Sequence, residues 1–265
     1  MTYPTARPSR VVVVAAMPRS GSNLLVRGLG RAGLVNDPVE HTWEILLGWS
    51  VFHQHLPKPR LLQVRLHIGR LWRWWGTSDP RARRVRTTIR ARRDYLNLVG
   101  RLLTTVDGVL AVKLMWPDYE QAMLIDDLDV NFWGAPVTWI HIWRRDEVRQ
   151  AVSWWKADQT QQWLSDAPQQ AARRSVRYDA QKIAAKVDEV QRGNSGWRQH
   201  FAATGVTPIE VVYEDFVADY EGTMRRVLDA VGFAHAEVPE PQIERQSDDT
   251  NNEWIARFLA ESGSA

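Results

Sequence analysis

A chain of 265 residues with 44% hydrophobic and 25% charged residues is long enough to bury its own core, and its composition excludes a disordered or collagen-like protein. It contains no cysteine, which excludes a disulfide framework, a thiol nucleophile and a zinc site built on thiolates. The net charge of +3 hides an asymmetry, because residues 60–101 hold 12 of the 34 basic residues and 2 of the 31 acidic ones, a local +10 against −7 for the remainder.

The first element in chain order is a strand, Arg10 to Ala16, whose β-branched run is apolar throughout, as in a strand buried on both faces. A polar turn, Arg19 to Asn23, leads into a helix from Ser22 to Ala32, with Leu24, Leu25 and Leu29 on one face and a stop at Gly33. Residues from about 41 to 105 have helical periodicity and no strand signal, and they read as a basic, tryptophan-rich insertion. Asp79-Pro80 starts a helix there, with Val85, Ile89, Leu96, Val99 and Leu103 near one face. Further strands are predicted at Val109 to Met115, Val137 to Trp143 and Ile209 to Tyr213. Helices are predicted at Glu147 to Lys156 and, as one element, at Asp215 to Val231 before Gly232. The terminal Glu261-Ser-Gly-Ser-Ala is expected to fray.

Strands alternating with helices imply an α/β fold with a mostly parallel sheet flanked by helices. A single domain over residues 1–265, carrying the helical insertion, is the expected organisation. Ligands in such folds bind beyond the carboxyl ends of the strands. The run Val11 to Ala16 is too short for a signal peptide and no stretch approaches a bilayer-spanning length, so a soluble, cytoplasmic protein is expected.

The turn Arg19-Ser20-Gly21-Ser22-Asn23 has the parts of a phosphate-binding loop. Gly21 lets the backbone approach an anion, and the N–H groups at the helix start add a partial positive charge. Ser20, Ser22 and Asn23 supply donors and Arg19 a permanent cation. The plain alternative is a strand-to-helix turn capped by serine. An ATP-type loop fits less well, since it is longer, ends in Gly-Lys-Ser/Thr and needs a magnesium-binding acid after another strand. Here the strand ending at Trp143 runs into Arg144 and Arg145. Arg144 before a helix and Ser153 within it form a candidate second anion site.

These two segments together resemble the paired phosphate signatures of sulfotransferases that use 3′-phosphoadenosine 5′-phosphosulfate (PAPS), and specifically the bacterial trehalose 2-sulfotransferase family, which has arginine at the position of Arg19. The stretches Lys113-Leu114-Met115-Trp116, Ile140-His141-Ile142, Gln150-Ala151-Val152-Ser153, Gln159-Thr160 with Trp163, and Glu244-Arg245-Gln246 with Glu253-Trp254 are similar to its pattern, so the likeness runs from Val11 to about Phe258. It implies a P-loop-like sulfotransferase fold in which Arg19 to Asn23 hold the 5′-phosphosulfate and Arg144 and Ser153 the 3′-phosphate. It also implies that Tyr213 packs on the nucleotide and that Arg245 and Gln246 close over the 3′-phosphate. The family's catalytic glutamate falls at Glu40, the candidate general base; His41 is the rival, since histidine serves other sulfotransferases and its ordinary pKa suits the task. Arg19 would assist the leaving group. Asp37, Glu40, Lys113 and Trp116 are the candidate acceptor contacts. Pro18 and Asp37 depart from the trehalose-sulfating pattern, which has glutamine and glutamate there, and this widens the acceptor to a glycolipid or glycosylated small molecule.

No metal is expected, because the only closely spaced histidines, His53 and His55, would face apart on a helix. The expected partners are a hydroxyl acceptor containing sugar and a second copy of the chain, as in relatives, with no nucleic acid. The basic insertion is a candidate membrane-surface contact. A metal-dependent P-loop kinase or NTPase, and a basic module binding nucleic acid or anionic membrane, are the alternatives.

Overall fold

The computed structural model describes residues 7–34, 97, 100, 104–120, 130–160, 176–241 and 249–262. Four strands form one sheet in the order β2-β1-β3-β4: β1 is Arg10–Ala16, β2 Val109–Met115, β3 Val137–Trp143 and β4 Ile209–Val212. After Arg10, every residue of β1 is buried. This is why its sequence shows no alternation: a central strand covered on both faces has no polar side. The sheet is of the predicted parallel α/β type. β3 and β4 pair in parallel with Ile140 opposite Ile209, His141 opposite Glu210, Ile142 opposite Val211 and Trp143 opposite Val212.

The chain divides into two compact units. One comprises Met1–Val12 and Leu34–Val137 and contains β2 with a short helix, α2 (Trp116–Tyr119). The turn into β2 is fixed by the Thr105 hydroxyl, which accepts from the Val109 N–H at 3.0 Å, and by Ser9 Oγ, which donates to the Gly108 carbonyl at 3.0 Å. Most of the predicted insertion, residues 41–105, lies outside the described residues.

The other unit comprises Val13–Gly33 and Thr138–Ala265. Its helices are α1 (Ser22–Leu29), α3 (Glu147–Thr160), α4 (Ala180–Thr204), α5 (Tyr213–Ala218), α6 (Tyr220–Ala230) and α7 (Asp249–Ser262). Val152 of α3, Ile183 of α4 and Trp254, Ile255 and Phe258 of α7 form one apolar cluster. Trp197 of α4 is fully buried and donates from Nε1 to the Ala16 carbonyl at the end of β1, 3.1 Å away. Its ring stacks on Phe201 and meets Trp139 edge-on. An indole with its one polar atom satisfied thus anchors the long helix under the strand that leads to the polar turn.

Several boundaries differ from expectation. The helix predicted over Asp215 to Val231 is two helices, because Asp219 leaves helical geometry (φ −135°, ψ 77°) and its carboxylate accepts from the Gly222 N–H at 2.9 Å, capping α6. Aspartate gains this bond only by breaking the continuous helix. Tyr213, expected to end β4, starts α5 instead. The helix after β3 extends to Thr160, beyond the predicted Lys156. Glu261 and Ser262, expected to fray, belong to α7, where Glu261 accepts from Tyr178 and Arg257, each at 2.8 Å. The 25-residue α4 was not anticipated, although Asp179, which accepts from the Lys182 N–H, and Gly205 at φ 67° mark its two ends.

Candidate functional site

The turn between β1 and α1 is the site's foundation. Arg19, at φ 65°, is the single non-glycine with positive φ among the described residues, and Gly21 follows at φ 90°. Backbone in this region costs an L-residue about 1–2 kcal/mol, and such strain tends to persist where a site uses it. The turn closes with the Ser20 N–H on the Met17 carbonyl at 3.2 Å, and the Gly21 carbonyl accepts the first helical bonds from Leu24 and Leu25. The N-cap of α1 is Gly21, which has no side chain to cap the helix. Ser20 is fully buried, and its Oγ has no hydrogen-bond partner among the described residues. A buried, unsatisfied hydroxyl in a loop at a helix N-terminus is suited to an incoming anion.

Gly21 is required for a second reason. A Cβ at this position would lie 2.2 Å from Cδ2 and 2.7 Å from Cε2 of Tyr213, so the tyrosine ring rests directly on the glycine. The same ring carries the Arg144 guanidinium at 4.4 Å from its centroid. The β3–β4 register explains the meeting: Trp143 lies opposite Val212, and Arg144 and Tyr213 are the next residues after the two strands.

Helix α3 ties the two predicted anion segments together. Arg19 donates from Nε to Ser153 Oγ at 3.0 Å, and the buried Gln150, one turn earlier, donates from Nε2 to the Pro18 carbonyl at 2.7 Å. Residues three apart on a helix share a face, so one helix holds both ends of the Pro18-Arg19 step. Burial, followed by the neighbouring Arg144 cation, pulls the Arg19 guanidinium below its ordinary value. Burial does the same to Arg144, opposed by Tyr213 and Glu214. Two desolvated guanidiniums repelling each other form a site whose electrostatics an anion would relieve.

Of the predicted site residues, Arg19, Ser20, Gly21, Ser22, Asn23, Arg144, Ser153 and Tyr213 all belong to this one unit. Lys113, buried near the end of β2, and Trp116, the first residue of α2, belong to the other. Asp37, Glu40, His41, Arg245 and Gln246 lie outside the described residues. Sequence reasoning missed Gln150 as a side chain that holds the loop, and it missed Glu214. The Glu214 carboxylate accepts from the Arg145 N–H at 3.1 Å and approaches the Asp146 N–H at 3.4 Å. Their only sequence signal was adjacency to the motifs, since a lone glutamine or glutamate is indistinguishable from a solvated surface residue. Among the described residues no cluster could hold a metal ion, and no helix is long and apolar enough to cross a membrane.

The profile of the Stf0 sulphotransferase family matches residues 11–261. The chain is 30% identical over 275 residues to a trehalose 2-sulfotransferase of Mycobacterium tuberculosis (strain ATCC 35801 / TMC 107 / Erdman), with 97% of each chain covered. It is also 30% identical over 281 residues to a trehalose 2-sulfotransferase of Mycolicibacterium smegmatis (strain ATCC 700084 / mc(2)155), covering 97% of this chain and 95% of that one. Among solved structures it resembles the sulfotransferase domain of the Synechococcus PCC 7002 olefin synthase, with a TM-score of 0.45, 15% identity and 98% of each chain covered.

Proposed function

The chain belongs to the Stf0 sulphotransferase family, and on that premise we propose that it moves the sulfuryl group of PAPS to a hydroxyl of a carbohydrate-like acceptor: trehalose, a glycolipid or a glycosylated small molecule. The observation that carries the proposal is the bond from Arg19 Nε to Ser153 Oγ, because it joins a loop suited to one phosphate to the helix following a second, stacked arginine. A donor with phosphates at both its 5′ and 3′ positions has need of two such sites. The buried Ser20 hydroxyl, without a partner among the described residues, and the two desolvated cations suit the chemistry of that nucleotide.

In this reading Arg19, Ser20 and the N–H groups from Gly21 to Asn23 hold the 5′ end, while Arg144 and Ser153 hold the 3′-phosphate. PAPS, when bound, supplies a sulfuryl group that bonds to the acceptor oxygen as its bond to the 5′-phosphate oxygen breaks. Arg19 and the start of α1 stabilise the charge that grows on the leaving phosphate, an electrostatic contribution placed before the reaction begins. The acceptor hydroxyl must also lose a proton. We assign this to Glu40, with His41 the alternative base; the assignment rests on the family resemblance. Asp37, Lys113 and Trp116 are proposed to line the acceptor side, and Arg245 and Gln246 to close over the 3′-phosphate. A homodimer working in the cytoplasm without a metal belongs to the same proposal.

The trehalose part is supported by the names of the two relatives, and the wider acceptor class by Pro18 and Asp37, which depart from the trehalose-sulfating pattern. Incubation with PAPS and a panel of sugars, glycolipids and glycosides, read by mass spectrometry, should reveal one product heavier by a sulfuryl group. Glu40→Gln should lower kcat by about 10²–10⁴-fold, the usual range for losing a general base, while affinity for adenosine 3′,5′-bisphosphate stays near wild type. Equal loss of both would remove Glu40 from the chemistry.

A further inference from the structure

The three residues that follow β3 meet the three that follow β4, with Glu214 touching all three of the first set. The Tyr213 ring lies under the Arg144 guanidinium, 4.4 Å from centroid to Cζ. The Glu214 carboxylate takes the Arg145 N–H at 3.1 Å and the Asp146 N–H at 3.4 Å, and its Oε1 stands 3.5 Å from Arg144 Nε. Asp215 accepts a forked contact from Arg145 at 2.8 and 2.6 Å. The parallel register of β3 and β4 places these triplets side by side as the strands end together.

The three contacts differ in character. The Arg145–Asp215 pair has side chains that are 53% and 61% exposed, so solvent screens it. The Arg144–Glu214 pair is 13% and 31% exposed, and at 3.5 Å it is an ion pair rather than a hydrogen bond. Glu214 therefore has two tasks at once. It fixes the backbone at the entrance to α3, and it draws on the Nε edge of Arg144 while the Tyr213 ring covers one face. A guanidinium held on its Nε edge and one face keeps its terminal fork, the two N–H₂ groups, as the part left to meet a ligand.

We propose that Glu214 is a positioning residue for the 3′-phosphate, acting through Arg144 by setting the direction of its guanidinium fork. Glu214 itself does not touch the nucleotide. This rests on the reading that Arg144 binds the 3′-phosphate of a PAPS-type donor. A carboxylate near a phosphate site would ordinarily weaken anion binding by repulsion, so the proposal requires that orientation outweigh charge, and its sign can be tested.

The test compares adenosine 3′,5′-bisphosphate with adenosine 5′-monophosphate by calorimetry on the full chain, for wild type, Glu214→Ala, Glu214→Gln and Arg144→Ala. Wild type should prefer the bisphosphate. Glu214→Ala should reduce that preference by about tenfold, the scale of one hydrogen bond to a charged group, with monophosphate affinity changed far less. Glu214→Gln, which keeps an acceptor for the Arg145 N–H but loses the charge, should fall between and serves as the deciding variant if the alanine protein does not fold. Combined with Arg144→Ala, either change at position 214 should have no further effect on the preference. An unchanged or increased preference in the glutamine variant, or equal weakening of both ligands, overturns the proposal, the second outcome marking Glu214 as purely structural. A wild-type protein with no preference would instead overturn the nucleotide reading, and this inference with it.

Discussion

Replacing Gly21 by alanine separates two costs that the structure superimposes at one atom. The backbone there has φ 90°, where an alanine is disfavoured by about 1–2 kcal/mol relative to glycine. The added methyl would also lie 2.2 Å from Tyr213 Cδ2, well inside the roughly 3.5 Å at which carbon atoms rest against each other. The ring must therefore move by more than an ångström, and overpacking of this kind costs about 1–3 kcal/mol. Together the terms predict a loss of about 2–5 kcal/mol, which for a domain of this size lowers Tm by about 2–4 °C per kcal/mol. The displaced ring would also disturb Arg144, which it supports, so affinity for adenosine 3′,5′-bisphosphate should fall in the same variant. Adding Tyr213→Ala removes the clash and leaves the backbone cost, so a thermal and denaturant double-mutant cycle should show the two changes to be coupled by about 1–3 kcal/mol. Additive effects, or a Gly21→Ala protein melting within about 1 °C of wild type, would refute the packing of Tyr213 on the loop.

Two further expectations follow from individual contacts. Ser153→Ala removes the hydroxyl that accepts from Arg19 Nε and should weaken bisphosphate binding by about 1–3 kcal/mol, roughly 5–150-fold; titration showing an affinity within about twofold of wild type would dismiss the contact as incidental. Asp215 is held below its ordinary value of 3.8, chiefly by its hydrogen bond to Arg145. A depressed carboxylate contributes stability above its unfolded-state value and loses it as pH falls through the lower folded-state value. The Tm difference between wild type and Asp215→Asn should therefore be present at pH 6, shrink as pH falls through about 4 and below, and weaken in high salt because the pair is exposed. A pH-independent difference would mean the effect is not electrostatic.

Much of the fold was legible because β1 and β2 are buried along nearly their whole length. Runs such as Val11–Ala16 and Val109–Val112 are apolar without alternation, and a strand covered on both faces of a parallel α/β sheet is one of the few environments that asks for that. The Arg19-to-Asn23 turn was legible because small residues between such a strand and a helix already imply converging N–H groups, whatever the rest of the chain does. The helix break at Asp219 was not, since the apolar spacing continues across it and only the carboxylate's bond to the Gly222 N–H reveals the interruption.

For the site, the sequence determined which chemistry was available: two arginines after two strands, a loop with donors, and no lysine or acid placed for metal-dependent ATP chemistry. Tertiary structure alone decided how these parts are held. Ser153 meets Arg19, Gln150 holds Pro18, Tyr213 lies on Gly21 and under Arg144, and Glu214 sits at the turn into α3. Each of these partners is more than sixty positions away in sequence, except where Tyr213 and Glu214 adjoin. Local pattern carries no information about such pairs; they arise because strand order and β3–β4 register bring three separate loops together beyond the carboxyl ends of their strands.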